Sequence, residues 1–149
     1  MHLKRAIKLI GQSDLLERLP TKPRKYRKPR IKRNIDFGNL HRYDPRTLSY
    51  NAIEIFEGRV PEFEPYIMKD PQAAYIYARS IIKGRWPEAE PVIMKNPVIA
   101  LQYARDVIDG RWPEAEPYLA QDPNIAAAYA FDVVRDPKLY EEMFGFLED

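Results

Sequence analysis

A period of 26 residues runs through most of this chain and restricts its possible folds more than any other feature. Asp44-Pro45, Asp70-Pro71, Asn96-Pro97 and Asp122-Pro123 recur at that spacing. In phase with them come Gly58-Arg59, Gly84-Arg85 and Gly110-Arg111, then Pro61-Glu62-Phe63-Glu64-Pro65, Pro87-Glu88-Ala89-Glu90-Pro91 and Pro113-Glu114-Ala115-Glu116-Pro117. A fixed period of this length marks a repeat architecture, in which one unit cannot bury its apolar face alone and neighbours stack to do so.

Each unit reads as two helices. Asp or Asn is a preferred N-cap, and proline at the next position loses nothing because that amide has no helical partner. Long helices are therefore expected near 45–57, 71–83, 97–109 and 123–135. Ala74, Tyr77, Ala78, Ile81 and Ile82 line one face of the second of these. Ala100, Tyr103, Ala104, Val107 and Ile108 repeat that face, as do Ala126, Tyr129, Ala130, Val133 and Val134, with a weaker copy in Leu48, Asn51, Ala52, Ile55 and Phe56. Gly84 and Gly110 are expected to end their helices in the left-handed conformation. Trp86 and Trp112 precede prolines and so belong to an extended link. A shorter second helix follows, its first turn 3₁₀ if the second proline, Pro91 or Pro117, opens the regular part. Ile67, Ile93 and Leu119 are its inward anchors. The fold expected is all-α: an α-solenoid of about four 26-residue helix-turn-helix repeats with an extended basic N-terminal arm.

The organisation that follows is an arm over residues 1–33 containing a short amphipathic helix, a linker over 34–43, helical repeats over 44–137 and a C-terminal cap over 138–149. Phe37 and Leu40 of the linker are expected to cover the first helix. The unit from Asp70 to Pro91, Asp-Pro-x-x-Ala-x-x-Tyr-Ala-Arg-x-x-Ile-x-Gly-Arg-Trp-Pro-Glu-Ala-Glu-Pro, and its near copy from Asn96 to Pro117 resemble a short helical repeat found in tailed-phage proteins. That resemblance implies a phage origin and an architecture, and it brings no activity with it.

Charge divides along the chain. Residues 1–46 hold 14 Lys and Arg against 4 Asp and Glu, whereas residues 47–149 hold 10 against 18, a balance of +10 followed by −8. Lys22, Arg24, Lys25, Arg27, Lys28, Arg30, Lys32 and Arg33, interleaved with Pro23, Tyr26, Pro29 and Ile31, cannot form a core and favour an extended chain. These eight cations with Tyr26 are the candidate contacts to nucleic acid or to an acidic protein surface. Ahead of them Leu3, Ile7 and Ile10, with Lys4, Arg5 and Lys8, form a basic amphipathic stripe that could dock on a partner, on a membrane surface or, most plainly, on the chain's own repeats.

The remaining chemistry favours structure over catalysis. Glu88, Glu90, Glu114 and Glu116 recur in every unit, as a structural device does and an active site does not; Arg59, Arg85 and Arg111 are expected to pair with them or with helix-terminal carbonyls. Trp86 and Trp112, with Tyr77, Tyr103 and Tyr129, read as wedges between units and less readily as a base-stacking platform. His2 and His41 stand far apart in a chain without cysteine, which argues against zinc and leaves no disulfide. No apolar stretch is long enough to span a membrane. The expectation is a non-enzymatic binding or adaptor module without cofactor, metal or catalytic residues. Its arm engages an anion, nucleic acid first, and its repeats present a protein-binding face. The alternative is a virion structural or assembly protein whose arm docks on neighbouring subunits, self-association included. A cytoplasmic location, in the host if the origin is phage, or a place in the virion goes with these readings.

Overall fold

The computed structural model describes residues 34–144, and every regular element among them is helical. Four long helices carry the repeat. α1 is Pro45–Asn51 continued by a π turn over Ala52–Phe56; α3 is Pro71–Tyr77 with Ala78–Ile82; α5 is Pro97–Tyr103 with Ala104–Ile108; α7 is Pro123–Ala128 with Tyr129–Val134. Between them lie the four-residue helices α2 (Glu64–Ile67), α4 (Glu90–Ile93) and α6 (Glu116–Leu119), and α8 (Pro137–Phe144) follows α7. Each long helix packs on the next one along the chain, with a short helix set against both, so the body is an α-solenoid.

The starts are those that Asp-Pro and Asn-Pro dictate. The side chains of Asp44, Asp70, Asn96 and Asp122 accept hydrogen bonds from amides of the first turn, and proline follows each cap. The ends differ from expectation. The left-handed residue is the one before glycine: Glu57, Lys83 and Asp109, and in the last unit Arg135, lie at φ 51° to 61°, and no described glycine has positive φ. One carbonyl closes each helix by accepting two amides, as Ala78 O does from Lys83 at 2.7 Å and Gly84 at 3.4 Å. This wide turn ends the helix one residue earlier than the glycine rule predicts. A Cβ at Gly84 or Gly110 would meet nothing within 4 Å, and Asp136 stands at the same place in the last unit, where its amide bonds Ala130 O. Hydrogen-bond geometry, and not glycine's freedom, sets these ends.

The register of the short helices is settled by their second proline. Pro65, Pro91 and Pro117 sit in the first turns of helices opened by Glu64, Glu90 and Glu116, where no amide bond is lost. The residues before them form a turn, which is 3₁₀ over Pro113–Ala115.

Packing explains the small residues. Ala74, Ala78, Ala100, Ala104, Ala126 and Ala130 are fully buried and let the long helices approach closely. The buried surface is wider than one stripe: Ala73, Tyr75, Ile99 and Leu101 are buried too, because an inner helix of a stack touches a neighbour on each side. Ile67, Ile93 and Leu119 are at 0% exposure, as expected of the anchors. In the link, units two and three pair Trp86 with Ala89 and Trp112 with Ala115, whereas unit one pairs Val60 with Phe63; all six are buried. A small residue replaces tryptophan three positions before phenylalanine replaces alanine, so the volume is conserved. At the far end α8 sits against α7 through buried Leu139 and the stacked rings of Phe131 and Tyr140, 5.7 Å apart.

Candidate functional site

The repeated polar residues converge on one arrangement, a clasp that joins each unit to the next. Arg85 follows the end of α3, and its guanidinium forks onto the carboxylate that opens α4, with Nε and Nη2 donating to Glu90 Oε1 and Oε2 at 2.8 Å each. From α5 of the following unit the Tyr103 hydroxyl donates to Glu90 Oε1 at 3.0 Å and accepts the Trp86 amide at 2.7 Å. The same four groups recur as Arg59, Glu64, Tyr77 and the Val60 amide, and again as Arg111, Glu116, Tyr129 and the Trp112 amide. The amide before a proline is extended and has no helical carbonyl to bond, so the tyrosine hydroxyl supplies the acceptor it needs.

Aromatic packing continues the clasp along the stack. Tyr77 lies 5.1 Å from Trp86 and Tyr103 lies 5.0 Å from Trp112, ring centre to ring centre. Tyr77 and Tyr103 therefore pack their rings on the tryptophan of their own unit, and all three tyrosines reach back with the hydroxyl to the link of the unit before. The device stops at both ends of the described repeats, where Asn51 stands in the place of tyrosine and Pro137 in the place of arginine.

The charge states of the first clasp suit its hydrogen bonds. Hydrogen bonds from Arg59 keep the Glu64 carboxyl below its ordinary range against the opposing effect of burial, with Tyr77 adding to them. Burial pushes the Tyr77 hydroxyl up to about 12, and it drives Tyr103 and Tyr129 higher still. At neutral pH Glu64 is therefore ionised and Tyr77 protonated, the states that the hydrogen bond between them requires. Glu62, Glu88 and Glu114, the other glutamates of the motif, are exposed.

A second polar group joins α3 to α5 and does not repeat. The Tyr75 hydroxyl donates to Asp106, which also receives Arg105 Nε at 2.7 Å and Nη2 at 3.1 Å; Arg79 Nη1 donates to the Tyr75 oxygen at 3.3 Å. Burial alone would raise the Asp106 carboxyl, but the bonds from Arg105 and Tyr75 prevail and it lies below its usual value. One unit later Leu101 and Phe131 occupy the tyrosine and arginine places, and the half-buried Asp132 is raised by burial with no cation to offset it.

At the N-terminal end of the described chain three phenylalanines meet. Phe37 stacks on Phe63 at 5.4 Å, and Phe56 packs edge-on to both at 6.1 and 5.5 Å. Phe63 is buried, but Phe37 and Phe56 remain 48% and 42% exposed. Phe37 therefore covers the end of the first unit only in part, and Leu40 is the buried half of the expected cover.

Lys22, Arg24, Lys25, Tyr26, Arg27, Lys28, Arg30, Lys32 and Arg33 lie outside the described residues, as do Leu3, Ile7, Ile10 and His2. The tryptophans and tyrosines are core, and Arg59, Arg85 and Arg111 pair with the second glutamate of each motif, as expected. The role of the tyrosine hydroxyl was missed. Its signal was the fixed spacing of 18 residues from each arginine to the tyrosine of the next unit, which a purely apolar wedge would not need to keep. Among the described residues no group of three or more His, Asp or Glu is placed to hold a metal ion, and no helix is long and apolar enough to cross a membrane. No family model matches the chain, and neither a curated protein nor a solved structure was found to be similar to it.

Proposed function

We propose that this protein is a non-enzymatic binding module in which a rigid helical body carries a basic arm to nucleic acid. One observation supports this above the others: the repeated cations of the body are already neutralised from within. Arg59, Arg85 and Arg111 each hold a carboxylate through two bonds, and Arg105 holds Asp106, in a segment where acids outnumber bases 18 to 10. The densest run of positive charge in the sequence, residues 22–33, lies outside that scheme. Phosphate contacts from such an arm are governed by counterion release and carry little sequence information.

Fluorescence anisotropy of labelled duplex and single strand with the full chain, over a salt series, tests this. With four to eight cations engaged, log affinity should fall with log salt at a slope of about −4 to −7. Replacing Arg27, Lys28 and Arg30 with glutamine should flatten that slope by about 3. No binding at low salt by either nucleic acid rejects the reading.

A second reading rests on the complementary charges of +10 and −8 and on exposed glutamates, Glu62, Glu88 and Glu114, at one repeated position. In it the arm of one copy lies on the acidic repeats of the next in a virion or its assembly, and the phage-like repeat accords with such a setting. Nucleic-acid-free assemblies that dissolve as salt is raised favour it over the first.

A further inference from the structure

We propose that the half-exposed pair Phe37 and Phe56 is the docking site for the chain's own basic amphipathic stripe, Leu3, Ile7 and Ile10. In the interior of the stack, the position of Phe56 is held by Ile82, Ile108 and Val134, aliphatic residues that are all packed against the core. Unit one has no preceding repeat, and at its open end aromatic rings stand in that place with nearly half their surface bare. Asp36 and Glu57, neighbours in sequence of the two rings, are exposed, and so is Glu62 beside Phe63. The rings thus have exposed carboxylates next to them in the chain, the nearby guanidinium, Arg59, being already paired with Glu64, and this suits an apolar stripe flanked by cations. Lys4, Arg5 and Lys8 flank the stripe in that way.

Area decides between a tethered occupant and a free one. Two phenylalanines less than half exposed offer on the order of 200 Å² of apolar surface, far short of the roughly 1,200 Å² that a stable complex of separate proteins buries. A segment of the same chain meets the patch at an effective concentration in the millimolar range, and a small contact then suffices. The chain enters the described structure at Asn34, three residues before Phe37 and at the same end of the stack. The 26 residues between Ile10 and Phe37 reach about 80 Å if extended, so the link does not limit docking. This inference does not depend on the arm binding nucleic acid.

The chain has no cysteine, so a single one at Gln12 can carry a nitroxide on full-length, isotope-labelled protein. Docking predicts strong broadening of the amides of Gly38, Glu57 and Gly58 and sharp signals from α7, unchanged on dilution. Leu3→Ser with Ile7→Ser, which lie outside the described body, should restore the lost intensities. Glu57→Lys should weaken the broadening several-fold, and the fold accepts it because Lys83 holds the same left-handed conformation one unit later. The proposal is overturned if those amides stay sharp, if broadening is even over the surface or survives the double serine variant, or if it arises only between labelled and unlabelled copies in a mixed sample.

Discussion

Removing one oxygen atom tests the clasp. In Tyr103→Phe the ring stays, packed on Trp112, and only the hydroxyl is lost. Two bonds go with it: the buried Trp86 amide loses its acceptor at 2.7 Å, and Glu90 loses a donor at 3.0 Å while keeping both bonds from Arg85. An orphaned buried amide costs about 1–3 kcal/mol, and a bond to a carboxylate that remains otherwise paired adds about 1 kcal/mol, so the expected loss is about 3 kcal/mol. For a body of this size that lowers the midpoint of thermal unfolding by about 10 °C. Tyr66→Phe, on a half-buried ring, is the control and should change stability by less than about 0.5 kcal/mol. Urea unfolding followed by circular dichroism measures both variants. A double-mutant cycle with Glu90→Gln should give a coupling of about 1 kcal/mol, since the two side chains share one bond. A Tyr103→Phe variant as stable as the Tyr66→Phe control would refute the reasoning, because it would mean that the Trp86 amide finds another acceptor at no cost.

Other outcomes follow from the same geometry. Trp112→Ala should cost about 3–5 kcal/mol by emptying a fully buried site between units, measurable as a shift in urea midpoint, whereas Glu114→Ala beside it should be nearly neutral. Gly84→Ala should be neutral or should stabilise by up to about 1 kcal/mol, since its φ is not left-handed and its surroundings are empty; a loss above 1 kcal/mol would show that the glycine is needed. For Asp132, burial raises the folded-state value above the unfolded one, so the folded state binds the proton more tightly and this group lowers stability as pH rises through that window. Asp132→Asn should thus stabilise at pH 7 by about 0.5 kcal/mol or less and have no effect near pH 3, which thermal melts at the two pH values would show.

The sequence alone determined the repeat, the start of every long helix and the apolar anchors. These depend on local rules: an Asp or Asn cap bonds amides two or three residues away, proline forbids the helix before it, and a 3.6-residue period needs no knowledge of neighbours. What required the tertiary structure is whatever one unit does to another. Lys83 and not Gly84 is left-handed because the helix closes on a single carbonyl in a wide turn, a choice that local preference for glycine misplaces by one residue. Tyr75 and Leu101 are buried because a stacked helix has two neighbours, which the pattern along one helix cannot reveal. Tyr103 meets Glu90 and the Trp86 amide across 13 and 17 residues of chain, and only stacking brings them within 3 Å. The clasp was written into the sequence as a fixed spacing, but its chemistry exists only where adjacent units touch, because a hydrogen bond depends on distances that the period of a sequence does not specify.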